Sequence, residues 1–175
     1  MPLIAVTYRL PEAGLKLLRA KGYTVRVHTK ERLITAEELK KFVRGADALL
    51  CMLTEHIDGT VFDAARKQLK IVANYAVGFD NIDLRAAAMR NIVVTNAPAK
   101  EVSESVAEHT VALVLALAHR IAEGDRFVRA EKYEGWHPNL LLGQDLVGKT
   151  VGIIGAGHIG QSVARRLHGG FGMKV

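Results

Sequence analysis

Lys149-Thr150-Val151-Gly152-Ile153-Ile154-Gly155-Ala156-Gly157-His158-Ile159-Gly160-Gln161-Ser162-Val163-Ala164-Arg165-Arg166-Leu167 is the stretch on which the fold turns. Its front part, Lys149 to Ile154, is short and β-branched, and Val151, Ile153 and Ile154 suit burial in a parallel sheet, so it reads as a strand. Its back part, Gln161 to Leu167, reads as a helix. Between them Gly155, Gly157 and Gly160 stand at the spacing G-x-G-x-x-G. Glycine triplets also build plain structural corners, so the spacing alone says little; a strand before it and a helix after it make it a dinucleotide-binding turn. Each glycine then has its own task. Gly155 permits the tight turn, Gly157 lets a pyrophosphate approach the backbone, and Gly160 lets helix and strand pack closely. The start of the helix adds unpaired N–H groups and a positive dipole end for the phosphates. With the two residues that complete the turn, the expected cofactor-binding set is Gly155, Gly157, His158, Ile159 and Gly160, and the expected cofactor is NAD or NADP. The acidic residue that grips the adenosine ribose is expected about 20 residues further on. That is past Val175, so the two cofactors are not distinguished.

Upstream, β-branched runs alternate with helical segments, the pattern of βαβ units and a parallel sheet. Leu3 to Tyr8 reads as a first strand and Pro11 to Lys21 as a helix with Leu15 and Leu18 on one face, stopped by Gly22. Val25 and Val27 mark a second strand. Thr35 with Glu38 forms a capping box, opening a helix whose apolar face is Leu39, Phe42 and Val43. A third strand is expected over Ala46 to Leu53, a helix over Thr60 to Gln68, a fourth strand over Ile71 to Tyr75 and a loop over Ala76 to Asn81. A helix over Ile82 to Arg90 and a strand over Ile92 to Thr95 close the series. Asn96, Ala97 and Pro98 break it and form a hinge. The chain is therefore read as α/β: a flavodoxin-like, doubly wound parallel-sheet domain over residues 1–98, followed over residues 99–175 by the first part of a Rossmann domain.

Between hinge and turn, Val102 to about Ala122 is strongly helical, and Val106 to Ala118 is apolar on nearly all sides. Such a helix is expected to be covered on more than one face, by another domain or a second subunit. Tyr133 to Leu146 reads as an extended loop carrying Trp136 and Leu140 to Leu142, a sticky patch that also calls for a partner surface. Together they predict a homodimer.

Bulk properties exclude several classes. The chain is 49% hydrophobic and 24% charged, the profile of a globular protein with a packed core. The longest apolar run, Val111 to Ala118, is far short of the roughly 20 residues of a membrane span, and no secretory leader is visible. The lone Cys51 sits in an apolar run and fits a reducing, cytoplasmic setting. The net charge of +6 is spread as surface pairs such as Lys40 and Lys41, which argues for a solvated surface and against nucleic-acid binding.

Tyr75-Ala76-Val77-Gly78-Phe79-Asp80-Asn81-Ile82-Asp83, Thr95-Asn96-Ala97-Pro98, Val106-Ala107-Glu108-His109-Thr110 and Gly148-Lys149-Thr150-Val151-Gly152-Ile153-Ile154-Gly155 resemble, in order and spacing, the D-2-hydroxyacid dehydrogenase family. Gly135-Trp136-His137-Pro138 and Leu140-Leu141-Leu142-Gly143 resemble its glyoxylate/hydroxypyruvate reductase branch. The resemblance implies a split substrate domain, begun by residues 1–98, with the cofactor domain inserted after it. It implies a substrate carboxylate held by backbone N–H groups of Val77 and Gly78, with Leu53 lining the site and Thr110 near the cofactor. A glycine after a strand would expose backbone donors in any case, although turn geometry alone also explains one. His158 stands where the family often carries arginine.

The resemblance also implies hydride transfer between a nicotinamide and a small 2-keto or 2-hydroxy acid, with a histidine, a glutamate and an arginine at the reacting centre. No residue of this chain matches those three, so no catalytic residue is expected within it and the chain alone is expected to be inactive. Glu108 and His109 are helix neighbours pointing about 100° apart, a poor dyad, and the other histidines lack metal-ligand spacing. Two other readings stay open: a non-catalytic, nucleotide-sensing binding protein like the corepressors that share this fold, and one subunit of a split dehydrogenase.

Overall fold

The computed structural model describes all residues, Met1 to Val175. The chain falls into two compact units, Met1–Pro98 and Ala99–Val175, which part just after the Asn96-Ala97-Pro98 break.

In the first unit the elements run β1 (Leu3–Val6), α1 (Glu12–Ala20), β2 (Thr24–Val27), α2 (Ala36–Phe42), β3 (Ala48–Cys51), α3 (Gly59–Ala65), β4 (Ile71–Asn74), α4 (Leu84–Met89) and β5 (Val93–Thr95). The strands form one parallel sheet in the order β2-β1-β3-β4-β5, the doubly wound arrangement whose ligand crevice lies at the carboxyl ends of the strands. Alternation along the strands divides the core. Ala5, Leu49, Cys51 and Val72 join Leu39, Val43, Val61 and Phe62 in one cluster, while Ile4 and Val6 pack with Leu15 in another. The helices start where the sequence supplies caps. Thr35 and Glu38 form the reciprocal capping box, Asp58 accepts from the N–H groups of Thr60 and Val61, and Asp83 accepts from that of Ala86. The helix expected to run on to Gln68 is broken at Arg66, whose φ of 63° turns the chain into a short 3-10 segment.

The second unit holds α5 (Lys100–Ala118), α6 (Ile121–Arg129) and α7 (His158–Phe171). Ala107 on α5 meets Val163 and Leu167 on α7, with Met173 closing the cluster. Beside this apolar seam, Ser162 donates to Glu104 across 2.7 Å, and Arg166 pairs with Glu104 at 2.7 Å and Glu108 at 3.2 Å. The Ser162 hydroxyl, and then Arg166, hold the Glu104 carboxyl below its ordinary range.

Two expectations for this unit are corrected. Lys149 to Ile154 is not a strand; it makes a single parallel bridge, Thr150 to Lys174, with Val151 N–H donating to Lys174 O over 2.8 Å. A ladder needs a neighbour along its length, and only Lys174 pairs with this run. The helix expected to reach Ala122 ends at Ala118, because the Ala118 carbonyl accepts from Gln144 N–H at 2.8 Å and Arg120 takes a left-handed φ of 53°. A separate helix, α6, then begins, its start held by a two-pronged Arg120–Glu123 pair. Within this chain α5 buries only Ala107, and Leu113 and Leu117 are open. No single helix is long and apolar enough to cross a membrane.

Candidate substrate and cofactor sites

At the carboxyl ends of β1, β3 and β4 lies a buried polar network. Glu55, 5% exposed, takes Thr7 Oγ1–H at 2.8 Å and Met52 N–H at 2.6 Å on one oxygen, and Thr54 Oγ1–H at 2.9 Å on the other. Asn81 Nδ2 donates to the carbonyls of Met52 (3.2 Å) and Glu55 (3.0 Å). Asn74, the last residue of β4 and fully buried, donates from Nδ2 to Gly78 O at 2.8 Å and to Asn81 Oδ1 at 2.9 Å. The network ties the turn after β3 to the loop after β4.

That loop contains Val77 and Gly78. Its carbonyls are held one after another: Ala76 O by Ala97 N–H at 2.9 Å, Val77 O by Asn96 Nδ2 at 2.7 Å, and Gly78 O by Asn74. In a trans peptide the C=O and the following N–H point in opposite directions. Fixing the carbonyls of Ala76 and Val77 therefore aims the N–H groups of Val77 and Gly78 away from their anchors, and neither donates to a group of the chain. Two adjacent N–H groups without a partner in the chain leave two donors free at this end of the unit. Gly78 does not take a left-handed φ, so its freedom of rotation is not what the loop uses. Space is tight instead, since a Cβ there would meet Asp80 Oδ1 at 3.0 Å. Leu53, Tyr75, Val77 and Phe79 are exposed apolar side chains around this end of the unit.

The sequence reading missed Thr7, Glu55, Asn74, Asn81 and Asn96. The available signal was an asparagine closing the otherwise apolar strand Ile71–Asn74, a costly place for an amide unless it is fully hydrogen-bonded. Cys51, whose Sγ–H reaches Asn74 Oδ1 at 3.3 Å, belongs to the same network. Burial, and then the nearby Glu55, push its thiol up to about 12, so it stays a thiol at neutral pH. Native chain is expected to resist thiol-reactive reagents at pH 8 and to label once unfolded; fast labelling of native chain would contradict this burial.

In the second unit the glycine turn leads straight into α7. Gly155 has φ +94°, Gly157 caps the helix with φ −74° and open space where a Cβ would stand, and a Cβ on Gly160 would lie 2.1 Å from Gly155 O. Gln161 Nε2 braces the turn on Ala156 O at 2.8 Å, and Gln161 N–H makes the first helical bond, to Gly157 O. The N–H groups of His158, Ile159 and Gly160 are thus left at the helix mouth, as in any first turn. These residues fit a pyrophosphate: backbone donors, a positive helix end and no side chain at Gly157. Thr110 is half-buried on α5 and donates to Val106 O one turn back at 2.8 Å; no hydrogen bond joins it to the glycine turn.

Residues 4–166 match the model of the family described as D-isomer specific 2-hydroxyacid dehydrogenase, catalytic domain. The chain belongs to the D-2-hydroxyacid dehydrogenase family. Among its relatives, the glyoxylate reductase of Thermococcus kodakarensis is 47% identical over 99% of the chain and 52% of the relative. The glyoxylate reductase of Pyrococcus furiosus is 44% identical over the same shares. The chain spans about half the length of the curated relatives it matches. Among solved structures, the TT0316 protein from Thermus thermophilus aligns with TM-score 0.91 and 44% identity, over 98% of this chain and 54% of that one. The D-lactate dehydrogenase of Aquifex aeolicus, solved with NAD and lactic acid, aligns with TM-score 0.77 and 26% identity, over 99% and 50%. The α/β fold and the family read from the sequence are those found.

Proposed function

We propose that this chain supplies the substrate-anchoring part and the first cofactor-binding part of an NAD(P)-dependent reductase of short 2-keto acids, of the glyoxylate or hydroxypyruvate kind. The observation that carries this reading is the loop whose carbonyls are tied back so that Val77 and Gly78 present adjacent N–H groups. Those donors suit the carboxylate of a 2-keto acid, and Leu53 with Val77 offers an apolar wall for a short carbon chain. Gly155, Gly157, His158, Ile159 and Gly160 would hold the cofactor pyrophosphate, with Thr110 nearby. When bound, the nicotinamide supplies or accepts a hydride. The chain's own residues bind and orient; no group in it is assigned to protonate the carbonyl oxygen.

The test is NADH and NADPH oxidation with glyoxylate and hydroxypyruvate, comparing this chain with a form extended to the length of its relatives. Activity confined to the extended form is the expected result. A folded extended form inactive on both acids would overturn the reading and favour the nucleotide-sensing binding protein. Activity that returns when a separate second polypeptide is added would favour the split dehydrogenase.

The same reading includes a cytoplasmic homodimer. Leu113 and Leu117 on α5, with Trp136 and Leu142 in the following loop, leave large apolar side chains open, Leu117 at 80% and Trp136 at 79%. Light scattering on the extended form is expected to give a dimer, and Leu117→Lys a monomer, since an ammonium at a buried apolar contact loses its hydration without a partner. A monomeric parent would refute the dimer.

A further inference from the structure

The buried side-chain atoms without a hydrogen-bond partner are Nδ1 and Nε2 of His28 and Nε of Arg26, and they lie together. Unpaired buried polar atoms are rare, and each calls for an explanation, a bound ion among them. Both residues line a cleft of about 340 Å³ between β2 and α2, shared with Lys30, Ile34, Glu38, Lys41 and Phe42. That volume is at the small end of ligand clefts. His28 is only 8% exposed, and its ring meets Phe42 edge-on with centroids 5.9 Å apart. Arg26 is fixed by other atoms: Nη2 donates to the carbonyls of Phe42 and Arg44, and the guanidinium lies 5.0 Å from the Phe42 ring centre, which leaves Nε unused.

The charge in the cleft is positive. Glu38, its one carboxylate, is matched by Lys30 at 2.5 Å and by Arg32 at 2.7 Å, and these contacts with Thr35 N–H hold it well below the usual carboxylate range. Arg26 and Lys41 make no ion pair, the nearby Glu37 being bridged to Lys40.

We propose that the β2–α2 cleft binds a small oxyanion, a phosphate or a carboxylate, which accepts hydrogen bonds from the His28 ring and Arg26 Nε in the field of Lys30 and Lys41. The unpaired nitrogens are closed to solvent, so binding requires the side chains around them to move. The site is distinct from the Val77–Gly78 loop, because β1 and β3 lie between β2 and β4 in the sheet. It requires neither the cofactor nor the catalytic reaction.

The experiment titrates the chain with inorganic phosphate, and separately with malonate, at constant ionic strength, following the His28 ring nitrogens by NMR. Saturable movement of the His28 signals with one probe is expected, and the probe that saturates names the class. Lys41→Gln, an exposed change that leaves the core intact, is expected to weaken binding roughly fivefold, the scale of one exposed charge pair. Movement that does not saturate with either probe, or binding unchanged in Lys41→Gln, overturns the proposal. His28→Gln serves to assign the signals; should it fail to fold, the Lys41→Gln comparison still decides.

Discussion

Gly160→Ala is expected to lower the melting temperature of the second unit by roughly 10 °C, following a loss of about 1–3 kcal/mol. The added methyl group would stand 2.1 Å from the Gly155 carbonyl oxygen, with Gly155 C and Ile153 Cγ2 each at 3.2 Å. Two of these three neighbours are backbone, so no rotamer change relieves the clash. The turn and the start of α7 have to separate, pulling at the seam of Ala107, Val163 and Leu167. Gly157→Ala is the control. Its φ of −74° suits any residue and its Cβ meets nothing, so the melting temperature should hold while NADH affinity in the extended form falls, because the methyl stands where a phosphate would approach. Thermal melts of both variants and an NADH fluorescence titration separate the two roles. Equal melting of Gly160→Ala and parent would mean that the close packing of turn and helix is not needed.

The contrast shows what a sequence discloses. Local rules located the strands of the first unit, the Thr35–Glu38 box and the loop after β4, because alternation and capping act within a few residues. What depends on partners distant in sequence was misread. Val151 to Ile154 have the composition of a buried strand, yet strand geometry comes from a neighbour, and Thr150 to Lys174 is the only pairing there. The run from Val102 to Ala122 has no internal stop signal. Its break is set by Gln144 N–H on Ala118 O and by Gly143, where a Cβ would lie 2.5 Å from that same oxygen. At the loop after β4, the resemblance pointed to Val77 and Gly78. The asparagines that hold its carbonyls were not legible, because Asn74 reaches Gly78 O and Asn96 reaches Val77 O only in the folded chain.

Asn74→Leu is expected to be the most damaging change at that loop. Leucine has a similar volume, so no cavity opens and the loss is one of hydrogen bonds. Gly78 O loses its 2.8 Å donor, Asn81 Oδ1 its 2.9 Å donor and Cys51 Sγ–H its 3.3 Å acceptor. A buried carbonyl left unpaired costs about 1–3 kcal/mol. Both oxygens are only partly buried, so a destabilisation of roughly 1–3 kcal/mol is expected by urea denaturation. The free Gly78 carbonyl then lets the loop turn, and the substrate's carboxylate loses aligned donors. Asn96→Ala separates the two effects. Asn96 is exposed, so its removal strands no buried group, while Val77 O loses the 2.7 Å contact that aims Gly78 N–H. Stability should stay within about 0.5 kcal/mol of the parent, while KM for glyoxylate in the extended form rises several-fold with kcat less affected, as expected when a group that mainly positions the carboxylate is lost. If Asn96→Ala leaves KM unchanged, the Val77 and Gly78 N–H groups do not hold the substrate, and the anion-binding role assigned to the loop is wrong.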